Sequence, residues 1–387
     1  MKRWLVLVWA LVSAWVQAAG LPTPPEIAAR AYLLMDVTTG QVLASRDPDE
    51  AVEPASLTKL MTAYVVFSAL KAGQMRLDQT VTISENAWRT PGSRMFVEPN
   101  WQVPVEDLLK GMIVQSGNDA TVALAEGLAG SVAQFVVLMN QQAQALGMSK
   151  THYTNPEGLT EAGHTTTARD LATLATRLMR DFPQYVGYYA LQHYRYPNTP
   201  KANDTNRNTL LFRDPSVDGL KTGHTEAAGY CLVATAHRPS AALGAGQDRR
   251  LLSVVLGTAS SSARANESQK LLNWGYTAYR LVRLGDATKG LAQVKVYKGE
   301  QEQAALGVPG GLLVAAPVGQ TDAVQAKLSY PQPLLAPLEA GQVIGEVRVQ
   351  VGESGPELMR QPLRALAAVP QAGWLKRTWD ALLLAVD

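Results

Sequence analysis

The sequence predicts an α/β domain with an antiparallel sheet and a helical cluster, followed by a small all-β domain. Candidate strands lie near both ends of the first domain, at residues 31–45 and 230–257, and helical patterns fill the region between them. Beyond residue 282 the pattern changes to short alternating segments separated by Gly and Pro. A chain of 387 residues, 47% hydrophobic and 18% charged, is long enough for two domains.

The first residues have the layout of a secretory signal peptide. Lys2 and Arg3 precede an apolar run at 5–16, and small residues follow. We predict cleavage after Ala18, which removes residues 1–18. This takes the basic count from 35 to 33, against 33 acidic residues. A neutral mature chain implies no nucleic acid partner.

The first motif follows two strands predicted at 31–45. Ser56 and Lys59 lie where Pro54 and small residues give way to an apolar run that we predict to be helical. Three residues is just under one turn, so the hydroxyl and the amine project from one helix face. A lysine that is less basic than in water can take the serine's proton and make it nucleophilic. The N-terminal end of the helix favours a developing oxyanion.

The same spacing recurs at Ser68 and Lys71, near the predicted end of that helix before Gly73. A lysine in this position is ordinarily a solvated charge at a helix C-terminus. We therefore predict that this second pair is structural. Because the spacing alone is a weak signal, the assignment of Ser56 depends on motifs elsewhere in the chain.

The middle of the chain is mostly helical. The pattern predicts a strand at 77–83, a loop at 90–94, and helices at 105–115, 120–128, 131–146 and 167–180. The polar turn at 116–119 separates two apolar helices, an arrangement that brings hydroxyl and amide groups into a cleft. A similar triplet at 84–86 begins with Ser84, which we predict to cap a helix.

The first domain ends with a third motif and two strands. Lys221, Thr222 and Gly223 precede a strand predicted at 230–236, and a further strand at 250–257 leads to a helix at 263–281. The single cysteine, Cys231, is predicted to be a buried strand residue rather than a catalytic thiol. The five histidines lack metal-ligand spacing, so the sequence predicts no metal or other cofactor.

The remaining chain forms a β-rich region and a final helix. Residues 282–371 contain no cluster of nucleophile, base and acid, and we predict that they space the first domain from the C-terminus. Residues 372–387 place Leu375, Trp379 and Leu382 on one helical face, with Lys376 off that face. This pattern favours a helix lying in a membrane interface. The alternative is a helix docked on the protein's own core.

Three motifs now stand in one order. They are Ser56-x-x-Lys59, Ser116-Gly117-Asn118 and Lys221-Thr222-Gly223. This is the motif set of penicillin-binding proteins and class A β-lactamases, with Gly117 in place of the usual Asp. With the further stretches 218–225 and 266–275, the chain resembles the type-5 group of low-molecular-mass penicillin-binding proteins. These are D-alanyl-D-alanine carboxypeptidases of the bacterial envelope.

The resemblance implies the penicillin-binding and β-lactamase-like transpeptidase fold for residues 19–281. It also implies catalytic roles for Ser56 as nucleophile, Lys59 as its base, and Ser116 as the group that passes the proton to the leaving amine. Lys221 would help to keep Lys59 neutral by like-charge repulsion.

The resemblance further implies a substrate site. Its residues are Asn118, Lys221, Thr222, Gly223, His224 and Arg264. Asn118 would bond the substrate amide, while Lys221, Thr222 and Arg264 would hold the terminal carboxylate. Backbone N–H groups of Ser56 and His224 would form the oxyanion hole. Arg264 lies near a predicted helix start, so a surface cation is the alternative for that residue.

The implied partners are a peptidoglycan stem peptide ending in D-Ala-D-Ala, β-lactam inhibitors, and the outer face of the inner membrane. The implied location is the periplasm. A β-lactamase of the same fold is one alternative, although residues 155–161 lack the Glu-x-x-Leu-Asn arrangement of that class. A non-enzymatic module that binds or senses the cell wall is another, although it would not need Ser56 with Lys59 and Ser116.

Overall fold

The computed structural model describes residues 20–285 and 289–386, so the predicted signal peptide lies outside the described residues. The described chain forms two compact units, 24–279 and 280–386, and residues 20–23 are grouped with the second unit. The three motifs all lie in the first unit.

The first unit combines one large sheet with seven helices. Its elements are β1 (Ala31–Asp36), β2 (Gln41–Arg46), α1 (Lys59–Lys71), β3 (Thr80–Thr82), α2 (Glu85–Arg89), β4 (Gln102–Pro104), α3 (Val105–Val114), α4 (Asn118–Ala129), α5 (Val132–Ala145), α6 (Ala168–Asp181), β5 (Val217–Thr225), β6 (Gly229–Pro239), β7 (Asp248–Thr258) and α7 (Ser261–Ala278). Five strands form an antiparallel sheet in the order β2-β1-β7-β6-β5. The short strands β3 and β4 pair separately.

The large sheet is buried on both faces. Leu33 packs in the cluster that contains α1, whereas its neighbour Leu34 packs in the cluster that contains Leu271 of α7. Successive side chains of a strand point to opposite faces, so a strand covered on both sides is apolar throughout. Helix α1 is itself buried at every residue from Lys59 to Phe67. Lys59, the first residue of α1, is therefore part of a buried helix.

The structure corrects two local predictions about the motifs. Ser56 lies in a 3₁₀ turn, Ala55–Thr58, and the α-helix begins only at Lys59. The third motif does not precede a strand but lies within β5, which pairs with β6 along its whole length. Glycines are unfavourable in strands, and the two in this segment, Gly219 and Gly223, hid β5 from the sequence pattern.

Two other boundaries also differ from the prediction. The strand expected at 77–83 is limited to Thr80–Thr82. The helix expected to reach residue 281 ends at Ala278, where the chain enters strand β8. The alternating pattern at 279–284 is that of a strand, with Tyr279 and Leu281 buried and Arg280 exposed.

The second unit is built from strands, as the sequence predicted, and ends in one helix. Its elements are β8 (Tyr279–Leu284), β9 (Ala292–Tyr297), β10 (Gln303–Gly307), β11 (Leu312–Pro317), β12 (Val324–Ser329), β13 (Leu334–Leu335), β14 (Val343–Val351), β15 (Glu357–Ala365) and α8 (Trp374–Val386). Six strands form a sheet in the order β12-β14-β15-β10-β9-β13, and β11 pairs with β8.

Helix α8 contacts its own unit through a polar side chain. The Asp380 carboxylate is buried, being 7% exposed, and accepts a hydrogen bond from the backbone N–H of Lys298. The large apolar side chains Trp374, Leu375 and Trp379 are 69%, 67% and 63% exposed. Asp380 thus attaches α8 to its unit, while these large apolar side chains remain mostly exposed.

Within residues 20–285 and 289–386, no single helix combines the length and apolar composition needed to cross a membrane. Helices α4 and α5 meet that criterion only as a pair bent by 86°. Both contribute side chains to the buried cluster around α1.

Candidate active site

The first motif forms a hydrogen-bonded group around the Lys59 amine. Its Nζ atom lies 3.0 Å from Ser56 Oγ, 2.7 Å from Asn118 Oδ1 and 2.6 Å from the backbone oxygen of Glu157. A neutral amine has two N–H bonds and one lone pair. Because two of its three neighbours are carbonyl oxygens that can only accept, the lone pair is directed to the Ser56 hydroxyl. This is the orientation that a general base requires.

Burial makes Lys59 a weak enough base for this role. The side chain is 2% exposed, and burial lowers its pKa to about 7, although the negative charges of Glu157 and Asp119 oppose that shift. Near neutral pH a substantial fraction of Lys59 is therefore unprotonated. Burial, rather than the predicted repulsion by Lys221, is the main cause.

A second serine–lysine pair completes the polar part of the site. Lys221 Nζ lies 2.9 Å from Ser116 Oγ and 3.0 Å from the backbone oxygen of Thr222. Burial lowers the pKa of Lys221, and the charge of Lys59 lowers it further. The repulsion expected between the two lysines thus lowers the pKa of Lys221.

The second motif has an unusual backbone at its serine and close packing at its glycine. Ser116 adopts φ = 62° between α3 and α4, a left-handed conformation that non-glycine residues rarely adopt. A Cβ atom on Gly117 would lie 2.8 Å from Asp119 Oδ1 and 2.9 Å from the backbone nitrogen of Met95. The aspartate usual at this position would therefore require these neighbours to move, which accounts for Gly117 in this chain.

The next two residues attach α4 to the loop before β4. The Asn118 amide nitrogen donates to the backbone oxygen of Pro91 at 2.6 Å. The fully buried Asp119 carboxylate accepts hydrogen bonds from the backbone N–H groups of Met95 and Phe96, both at 2.8 Å. Asn118, predicted to bind the substrate amide, thus links Lys59 to the loop at residues 90–97.

The third motif lies close to the nucleophile turn because residue 223 has no side chain. A Cβ atom on Gly223 would lie 3.2 Å from Ala55 Cβ and 3.2 Å from the backbone oxygen of Pro54. Thr222 beside it is buried. Strand β5 therefore packs directly against the 3₁₀ turn that carries Ser56.

Arg264 is part of the site's framework and not a surface cation. It is 7% exposed, and its Nη1 atom donates to the backbone oxygen of Gly223 at 3.0 Å. Its guanidinium also lies over the ring of Tyr230, with which the exposed His224 ring stacks at 3.9 Å. Arg207, which the sequence did not single out, is exposed and acts electrostatically on both Lys221 and Arg264.

The loop between α5 and α6 supplies contacts that the sequence analysis missed. His164 Nδ1 accepts the backbone N–H of Thr154 at 2.9 Å, so its Nε2–H donates to Thr58 Oγ1 at 2.8 Å. Burial lowers the pKa of His164 to about 4, so the ring is neutral at physiological pH. The Glu157 contact to Lys59 uses a backbone oxygen, which any residue type can provide, so no sequence pattern marks it.

The structure thus brings predicted site residues together in two hydrogen-bonded groups. One group contains Ser56, Lys59 and Asn118, and the other contains Ser116 and Lys221. In the described part of the chain, no three His, Cys, Asp or Glu side chains are arranged to hold a metal ion. The chemistry available is proton transfer to a neutral lysine and nucleophilic attack by a serine.

This fold and site are typical of serine enzymes that transfer acyl groups and use a lysine as base. Residues 18–260 match the family model described as D-alanyl-D-alanine carboxypeptidase, and residues 276–371 match the C-terminal domain of penicillin-binding protein 5. The chain therefore belongs to the D-alanyl-D-alanine carboxypeptidase family of penicillin-binding proteins. The family, the fold and the serine carboxypeptidase activity predicted from the sequence are confirmed.

Individual relatives agree with this assignment. The chain is 39% identical over 369 residues to the D-alanyl-D-alanine carboxypeptidase DacA of Haemophilus influenzae, covering 94% of this chain and 91% of the relative. The crystal structure of penicillin-binding protein 5 from Haemophilus influenzae is similar, with 38% identity, a TM-score of 0.83, and coverage of 90% of this chain and 100% of that structure. An ampicillin-bound penicillin-binding protein D2 from Listeria monocytogenes aligns with 29% identity, a TM-score of 0.58, and coverage of 66% and 100%.

Proposed function

We propose that Ser56 removes the terminal D-alanine of a peptidoglycan stem peptide through an acyl-enzyme. Lys59 takes the hydroxyl proton as Ser56 Oγ bonds to the carbonyl carbon of the penultimate D-Ala. The C–N bond then breaks, and Ser116 passes a proton to the leaving amine. Water hydrolyses the resulting ester, which releases the shortened peptide and restores the Ser56 hydroxyl.

The observation that carries this proposal is the orientation of the Lys59 amine. Its N–H groups are directed to Asn118 Oδ1 and the Glu157 backbone oxygen, so the lone pair is left for Ser56. A lysine held in this way needs no histidine or metal to activate the serine.

Positive charge at the third motif supports recognition of a terminal carboxylate. Lys221, Arg264 and Arg207 are close enough for their charges to act on one another. An incoming carboxylate would relieve this repulsion, and we propose that the Thr222 hydroxyl also binds it. Backbone N–H groups of Ser56 and His224 are proposed to bind the oxyanion. A β-lactam, which has an amide and a carboxylate in similar positions, is proposed to occupy the same site.

Replacement of Lys221 tests the carboxylate contact. We expect Lys221→Ala to lower kcat/KM for D-Ala release from pentapeptide muropeptides at least about tenfold, because a charge-assisted contact contributes about 1.5 to 3 kcal/mol. The measurement is mass analysis of the products over time. Lys201→Ala, which removes an exposed lysine, should leave the rate unchanged. An unchanged rate in the folded Lys221 variant would reject the role of this residue, and an absence of D-Ala release by the wild-type chain would reject the proposed function.

We also propose that the chain is exported and attaches reversibly to the periplasmic face of the inner membrane through α8. The proposal is supported by the exposed Trp374, Leu375 and Trp379 side chains and by the contact of Asp380, which attaches the helix to its unit while these side chains stay exposed. Burial of one large apolar side chain contributes about 1.5 to 3 kcal/mol, whereas a basic residue near an anionic surface adds about 1 kcal/mol. Apolar burial should therefore dominate the attachment.

Truncation tests this attachment. A chain cut after Pro370 should remain active and stay in the supernatant, while the full-length protein should sediment with anionic lipid vesicles. Trp379→Ser should weaken sedimentation, whereas Thr378→Ser on the same helix should not. If the full-length protein stays in solution, or if about 1 M salt strips it completely from vesicles, the interface model is wrong.

A further inference from the structure

The residue whose backbone oxygen contacts Lys59 also carries a buried carboxyl group, and the catalytic roles described above do not use it. Glu157 is 8% exposed, and among the described residues its Oε2 atom has no hydrogen-bond partner. An ionised carboxylate with an unpaired oxygen is costly in a protein interior, and the one hydrogen bond that favours the charged form here comes from the backbone N–H of Glu157 itself. A buried group of this kind next to a catalytic base calls for a functional explanation.

The backbone at Glu157 is fixed on both sides. Its own carbonyl oxygen accepts the Lys59 N–H at 2.6 Å, and the carbonyl of Pro156 accepts the Thr62 hydroxyl at 2.6 Å. Gly158 has φ = 88° and approaches the 3₁₀ turn so closely that a Cβ atom would lie 1.9 Å from the backbone oxygen of Ala55. These contacts hold residue 157 beside α1.

The charged groups around this carboxyl are few. Lys59 lowers the pKa of Glu157 and the nearby Glu161 raises it, while burial raises it most of all. Lys59 in turn experiences Glu157 from the loop and Asp119 from α4, and it faces Lys221 from β5. Both oxygens of Asp119 already accept backbone N–H groups, so that carboxylate has a structural role of its own.

We propose that Glu157 is a positioning residue for acylation, whose carboxyl group sets the charge state of Lys59 and hence the pH range in which Ser56 is activated. An ionised Glu157 stabilises the protonated lysine, so Lys59 stays protonated and cannot act as a base until the pH rises. Removing the negative charge favours the neutral amine at a lower pH. The inference rests on the acyl-enzyme mechanism proposed above, in which Lys59 acts as the base.

The test is the pH profile of penicillin acylation in the full-length protein carrying Glu157→Gln. Gln has nearly the same shape but no charge. In the wild type the acid limb should follow the Lys59 pKa of about 7. In the variant we expect this limb to move to lower pH by about one unit or more, since a nearby opposite charge shifts a pKa by about one to three units. The rate on the high-pH plateau should stay the same.

Glu85→Gln is the matched control, because it removes the same charge from an exposed residue of α2 whose charge is not among those acting on Lys59 or Glu157. Its acid limb should coincide with that of the wild type. A purely structural role for Glu157 would change the thermal unfolding midpoint or the plateau rate without moving the limb, and that result would overturn the proposal. An unshifted acylation limb with a long-lived acyl-enzyme would also overturn it, because Glu157 would then act on water in deacylation. If no variant or wild-type protein is acylated at all, the underlying mechanism fails instead.

Discussion

Protein carrying Ser56→Ala is expected to show no covalent labelling by penicillin while keeping the fold of the wild type. Ser56 is the hydroxyl to which the Lys59 lone pair is directed, and the substitution removes one small polar atom from the 3₁₀ turn. Labelling with a fluorescent penicillin followed by peptide mapping is the measurement. The expected loss is complete, because among the described residues Ser56 carries the only hydroxyl that hydrogen-bonds to Lys59 Nζ.

Ser68→Ala is the matched control for this experiment. Ser68 also precedes a lysine by three residues, but its hydroxyl donates to the backbone oxygen of Tyr64 at 2.8 Å. This variant should be labelled like the wild type. Label found on Ser68, Ser84 or Ser116 in the wild-type protein would contradict the assignment of the nucleophile.

Lys59→Ala is expected to slow acylation by roughly 10² to 10⁴, the usual contribution of a positioned general base. The variant also leaves two buried carbonyl oxygens, those of Asn118 and Glu157, without their donor. A fall in thermal stability should therefore accompany the loss of activity. The acylation rate should be measured by stopped flow at a temperature where the variant is shown to be folded.

Lys71→Ala provides the comparison for Lys59→Ala. Lys71 lies in the last turn of the same helix and is exposed, so its replacement should change neither the acylation rate nor the fold. A folded Lys59 variant that is acylated at the wild-type rate would show that another group takes the proton from Ser56.

The sequence allowed the residues of the site to be predicted, but not all of their geometry. The order of the three motifs singled out Ser56, Lys59, Ser116 and Lys221, and the structure places Ser56 beside Lys59 and Ser116 beside Lys221. The backbone conformation at Ser56 was harder to predict from the sequence. Whether such a serine lies in a 3₁₀ turn or an α-helix depends on packing of the turn against Gly223 and Gly158, which are distant in the chain.

The groups that act on Lys59 from distant parts of the chain were the hardest to predict. The Glu157 carbonyl and the Asp119 carboxylate both act on Lys59, yet no spacing rule connects residues 59, 119 and 157. The strand that contains the third motif was not predicted, for a related reason. Its glycine weakens the strand pattern while serving the close approach of β5 to the nucleophile, so the feature that makes the site work also concealed its secondary structure.

Two buried lysines have a consequence for the stability of the protein as a whole. Lys59 is protonated in the unfolded chain up to its ordinary pKa of 10.5, but it is partly neutral above about pH 7 when folded. Unfolding between these values takes up protons, so the penalty on the folded state grows as the pH falls through this window and vanishes above it. Lys221, whose pKa is also lowered, adds a penalty of the same sign. The folded protein with a neutral Lys59 is therefore less stable than a protein with the same core but without these buried lysines would be. Burial of the large sheet on both faces must offset this cost and supply the excess stability that lets other residues vary.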